Sequence, residues 1–191
     1  VAEKECTRKE QSLCPFHQSK VYGSFCCIKH WSELQEQTPR YYSGSQEPLS
    51  RGCALGKHFG FSRIGIHHEI VEPGHRTSWP HAEKTEDEFV HVLEGTPDVW
   101  LDGVLYRLQP GDSVGFKAGD GLAHAFINNT EEIVRLLCIG DTDREDNRIH
   151  YAVHPERNIT LGKLHWDDVP ARELGDHDGL PDKLRERNGP F

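Results

Sequence analysis

Phe89-Val90-His91-Val92-Leu93-Glu94-Gly95, then Val99-Trp100-Leu101-Asp102-Gly103-Val104-Leu105-Tyr106, then Pro110-Gly111-Asp112-Ser113-Val114-Gly115-Phe116: these residues decide the fold. The first run is apolar, too short for a helix, and closed by Glu94-Gly95. The second is a hairpin. Asp102-Gly103 sits between two β-rich runs and supplies the positive φ angles that a two-residue turn demands. Pro110-Gly111-Asp112 turns the chain again before Ser113–Phe116.

Outward from this centre the same signals continue. Ile64, Ile66 and Ile70 recur at even spacing, as a half-buried strand requires. Ala125-Phe126-Ile127 and Ile133-Val134-Arg135-Leu136-Leu137-Cys138-Ile139 flank a turn at Asn128-Asn129-Thr130. Many short strands with closely spaced turns indicate an all-β sandwich or barrel, not strands alternating with helices. Helical periodicity is weak, and the best candidate is a short helix near Lys29 to Gln37. Composition divides the chain into a polar, Cys-rich N-terminal arm (1–57), a strand-bearing region (58–140) and a polar C-terminal arm (141–191). There is no internal repeat, so one domain with two irregular arms is expected.

The totals narrow the function classes. The chain has 191 residues, enough for one domain with a real core. A formal charge of −9 without a basic stripe argues against nucleic-acid binding. No apolar stretch reaches the length of a membrane span. The cysteines crowd into the first 27 residues (Cys6, Cys14, Cys26, Cys27), with Cys53 and Cys138 apart. A secreted disulfide scaffold spreads its cysteines through a shorter chain, so a reducing, cytoplasmic compartment is expected. The chain does not begin with Met, which leaves room for an export signal removed ahead of residue 1.

Within the β region stand His81-Ala82-Glu83, Glu88 at the head of a strand, and His124 at the head of another. His81 and Glu83 are two apart and share one face of an extended segment. Imidazole and carboxylate ligands suit Zn, Fe, Mn or Ni, and no thiolate is expected nearby to bias the choice. Without a metal, Glu83 and Glu88 would be adjacent like charges sharing a proton.

These residues resemble the cupin superfamily. Its first motif, Gly, His-x-His, Glu and Gly, is represented by Gly74, His81-Ala82-Glu83, Glu88 and Gly95. Glu83 stands where the family has its second histidine. The second motif is represented by Gly111, Lys117-Ala118-Gly119, His124 and Asn128, with Lys117 in place of a proline. The resemblance implies a double-stranded β-helix, or jelly-roll barrel. It implies a divalent metal held by His81, Glu83, Glu88 and His124, a small-molecule ligand, and a homodimer.

Function follows less directly. One expectation is a metal-dependent enzyme acting on a sugar, sugar acid or organic acid, the metal serving as Lewis acid or oxygen-activating centre. In this reading Glu83 is a ligand or the general base. The alternative is a non-catalytic binding or sensing barrel. A further one is dioxygenase-like: His81, Glu83 and His124 match the facial triad of non-haem Fe(II) oxygenases. Arg76, Trp79 and Phe126 are candidates for the substrate pocket. His67, His68 and His75 read as solvated or hydrogen-bonded side chains. A second, structural zinc site is expected from Cys14, His17, Cys27 and His30, two Cys-x-x-His knuckles with tetrahedral-site ligands.

Overall fold

A computed structural model describes residues 27–188. Ten strands form two antiparallel sheets. The first sheet runs in the order β1 (Arg51–Ala54), β2 (Ile64–Val71), β9 (Val134–Asp141), β4 (Glu88–Glu94), β7 (Ser113–Phe116). The second runs β10 (Ile149–Tyr151), β3 (His81–Glu83), β8 (His124–Ile127), β5 (Asp98–Leu101), β6 (Val104–Arg107). Three short helices sit outside the sheets: α1 (Leu55–His58), α2 (Pro155–Leu161) and α3 (Asp182–Asn188). The fold is the expected all-β jelly roll. Strands β1 and β10 extend the sheets beyond residues 58–140 on both sides.

The predicted hairpin is present: β5 and β6 pair in register, with Asp102 at φ 43° and Gly103 at φ 88°. The expected helix over 29–37 is instead a single 3₁₀ turn, Trp31–Glu33, capped by the His30 ring on the Ser32 amide. The chain leaves the helical path because strand β1 offers better partners. Glu36 donates its amide to the Gly52 carbonyl, and the Gln35 side chain donates to the carbonyls of Arg51 and Gly52.

Two apolar clusters follow from the alternation of strand side chains. Between the sheets pack Val71, Val90, Val92, Val99, Phe116, Phe126, Val134 and Leu136. On the opposite face of the second sheet, Ala82, Trp100, Ala123 and Ile127 pack under Trp166 from the C-terminal segment. That segment is pinned along its length. Trp100 donates its indole N–H to the His177 carbonyl, and Gly175 donates its amide to the Asp102 carbonyl. Arg76, wholly buried, donates to the Gly179 carbonyl. Residues 165–181 thus cover a sheet face that would otherwise be an exposed apolar surface.

The alternation in β2 runs opposite to the isoleucine reading. Gly65, His67, Glu69 and Val71 face between the sheets, while Ile64, Ile66 and Ile70 lie on the far side, with Ile64 exposed and Ile70 buried. The inward face is polar here because it lines a cavity rather than the core.

Candidate functional site

The same period of two that buries Ala82 turns His81 and Glu83 into the space between the sheets. His81 on β3 lies directly across from His124 on β8, and their ring centroids are 5.2 Å apart. On β4, Val90 and Val92 fill the core and Glu88, in phase with them, reaches the same space. The four sequence-predicted residues therefore share one cavity of about 240 Å³.

Both histidines are oriented by backbone carbonyls. His81 places Nδ1 2.9 Å from the Trp79 carbonyl oxygen, and His124 places Nδ1 3.2 Å from that of Leu122. Such a bond fixes the ring and leaves Nε2 as the nitrogen for a ligand. His124 is further held by stacking on Phe116, at 3.4 Å between centroids. Its Nε2 lies 2.7 Å from Glu88 Oε2.

The two glutamates occupy different electrical environments. Burial works to raise the Glu88 carboxyl, but the hydrogen bond and charge of His124 outweigh it and hold Glu88 below the usual carboxylate range. Glu83 has no such partner. Burial, then the charges of Glu86 and Glu88, push it up to about 8. Of the two charges Glu86 acts the more strongly, while Glu88 is paired with His124. Burial and the neighbouring His124 pull His81 down to about 4, so its ring is neutral and available as a ligand.

This donor set suits a borderline divalent ion: two imidazoles, each with Nδ1 held by a backbone carbonyl, and two half-buried glutamates without a Lys or Arg partner. Among the described residues, however, no three His, Cys, Asp or Glu side chains are drawn close enough together to grip an ion as they stand. Glu88 Oε2 stands against His124 Nε2 at 2.7 Å, a contact that an ion would replace.

Other expectations need correction. Arg76 does not line the cavity. It is 0% exposed, with Nε 2.6 Å and one terminal nitrogen 2.8 Å from the two Glu47 carboxylate oxygens. Trp79 also lies outside the lining, donating to Glu47 at 2.9 Å and stacking on His154. Both are structural because a buried guanidinium requires a full complement of acceptors. Phe126 does line the cavity, as does His67. His68 is buried against Trp31 and bonded to Gln35, while His75 bonds the Leu49 carbonyl. A thiol is present after all: Cys138 lines the wall, and burial raises it well above its ordinary value, so it is protonated. Of the expected zinc site, Cys14 and His17 lie outside the described residues. Cys27 is exposed, and His30 serves as the cap of the 3₁₀ turn.

The sequence reading missed Arg40, Glu69, Glu86, Asp87 and Asp141, all in the lining. Glu86 and Asp87 had a signal, since they directly precede Glu88. Arg40 had none: it arrives from the N-terminal region and pairs with Glu69, which also accepts from Ser50 at 2.7 Å.

The family model for the cupin domain matches residues 67–140. That segment is a cupin domain. Solved structures agree. A sugar phosphate isomerase of the cupin superfamily from Silicibacter pomeroyi is 28% identical, with a TM-score of 0.56, covering 65% of this chain and 82% of that one. A protein from Acidithiobacillus ferrooxidans that bears a provisional sugar phosphate isomerase name is 29% identical, with a TM-score of 0.52, covering 57% and 67%. The polyketide cyclase RemF from Streptomyces resistomycificus shares the fold at 19% identity and a TM-score of 0.53, covering 73% and 96%. A comparison with curated proteins finds no match. Among the described residues no helix is long and apolar enough to cross a membrane.

Proposed function

We propose that this cupin is a metal-dependent enzyme that moves a proton on a small polar carbonyl compound, as an isomerase does. The observation that supports it is the convergence of His81, Glu83, Glu88 and His124 on one cavity between the sheets. His81, His124 and Glu88 would hold a divalent metal, with Glu83 as fourth ligand or as the proton carrier. The metal would supply Lewis-acid polarisation of a bound carbonyl. Glu83 is the group suited to hold and return a proton, because it stands in the cavity with no cationic partner while Glu88 is committed to His124. Phe126 lines the cavity, and Phe116 backs it by stacking on His124. The sugar phosphate isomerase names of two similar structures support the reaction class. We also read the protein as a homodimer, a reading supported by the exposed Phe89 and Leu93 on the outer face of β4.

The test is solvent deuterium exchange at the carbon next to the carbonyl, over a panel of aldoses, amino sugars, sugar phosphates and keto acids. The metal-loaded protein is expected to exchange one class. Glu83→Gln, with metal retained, is expected to lose about 10²-fold or more of that rate. A metal-loaded protein that exchanges none of the panel would refute the enzyme reading.

A further inference from the structure

Resting on that ligand cavity, we infer that the part of the ligand lying towards Glu86, Asp87 and Asp141 is neutral or carries an ammonium group, so that the site refuses phosphorylated sugars. The lining holds six acidic side chains, those of Glu69, Glu83, Glu86, Asp87, Glu88 and Asp141, against one guanidinium, that of Arg40. Arg40 is already taken, paired with Glu69 and donating to Ser50 at 3.0 Å. Glu86, Asp87 and Asp141 have no Lys or Arg side chain as an ion-pair partner among the described residues. Backbone amides serve them instead: Arg144 N–H on Glu86 at 2.7 Å, Ala118 N–H on Asp87 at 2.7 Å, Asp87 N–H on Asp141 at 3.1 Å. The nearby Arg144 guanidinium is turned to Asp146 by two bonds of 3.0 Å.

A divalent cation at the histidines would not reverse this balance. It would offset two charges at the Glu83–Glu88 end and leave the other three carboxylates without a counter-charge. A phosphate is dianionic near neutral pH and is recognised by paired Arg or Lys donors or by a helix N-terminus. The lining offers a single arginine that is already paired. The same carboxylates would welcome an amine or accept hydroxyl donors from a polyol.

The experiment uses the full chain with the metal it is purified with, titrated calorimetrically with glucose, glucosamine and glucose 6-phosphate. Like-charge juxtaposition predicts binding of glucosamine or glucose at least about tenfold tighter than glucose 6-phosphate. Asp87→Asn with Asp141→Asn keeps an acceptor oxygen at each position and is expected to narrow that gap. A second measurement requires no sugar to bind. Cationic and anionic nitroxide cosolutes relax amide protons in proportion to local potential. The cationic probe should exceed the anionic one at Asp87, Gly140 and Asp141 by about threefold over the chain-wide average ratio. Equal or tighter binding of glucose 6-phosphate overturns the inference. If no sugar binds, a cosolute ratio at the chain average overturns it and a raised ratio upholds it. Protein that proves unable to hold metal refutes the proposed function instead, and the cosolute ratio is still read on its own.

Discussion

Removing the Glu47 carboxylate should destabilise the fold more than any other single surface-facing truncation, because three buried donors depend on it. Glu47→Ala leaves Arg76 Nε and one terminal nitrogen, held at 2.6 and 2.8 Å, without acceptors. The Trp79 indole N–H, at 2.9 Å, loses its partner as well. The Gly179 carbonyl, 2.6 Å from the other terminal nitrogen, is the one acceptor that Arg76 keeps. Because Arg76 is 0% exposed, water cannot replace what is lost without opening the structure. Truncating one partner of a buried pair costs about 3–5 kcal/mol, most of it the penalty for the stranded charge. For a chain of this size that corresponds to a fall in Tm of roughly 6–20 °C. The assay is urea unfolding followed by tryptophan fluorescence. Arg76→Met combined with Glu47→Leu, which replaces the pair by apolar groups, should recover most of the loss. A Glu47→Ala cost below about 1 kcal/mol would refute the reasoning and return Arg76 to the candidates for ligand binding.

Gly103→Ala should cost about 2 kcal/mol or more by chemical denaturation, since an added Cβ at φ +88° would meet the Gly175 backbone at 2.4 Å. Gly111→Ala, at φ +97° but facing open space, should cost only the backbone strain, about 1 kcal/mol. Equal costs would show that the C-terminal segment does not press on the hairpin. In the metal-free protein, stability should fall as pH rises from about 6.5 to 8, because folded Glu83 keeps a proton up to about 8 that the unfolded chain has already released. The slope should approach about 1.4 kcal/mol per pH unit and vanish in Glu83→Gln. His81, pulled down to about 4, acts oppositely: its contribution is present above about 6.5 and is lost as pH falls towards 4. Thermal melts across pH 4–9 check both.

The strands were legible where one face is apolar. Val90 and Val92 marked the inner face of β4 and thereby placed Glu88. Asp102-Gly103 marked its own turn. In β2 the same rule misled over its first half, because the inward face carries Gly65, His67 and Glu69 along a polar cavity and Ile64 and Ile66 lie on the outer side, while Ile70 is buried as expected. Hydrophobic alternation assumes that inside means apolar, and a ligand cavity breaks that assumption. The candidate ligands were legible from strand phase: His81 and Glu83 flank Ala82 and face the other way, and His124 stands two residues from Phe126. Arg76 was misread because nothing local reveals a partner 29 positions away, and a lone arginine near a site looks like an anion receptor. Arg40 was missed for the same reason in reverse. Its place at the cavity depends on the N-terminal region running beside β1, a contact made by backbone bonds that carry no sequence signature.

The proposed metal centre consists of His81, Glu88 and His124, with Glu83 as fourth ligand or proton carrier. It is tested most directly by elemental analysis of the purified, untagged protein beside His81→Ala and His124→Ala. About one ion per chain is expected in the parent, and its loss from both variants with the fold intact by circular dichroism. An ion that persists in both variants, or a parent that binds none after reconstitution with Zn, Fe, Mn and Ni in turn, would contradict it.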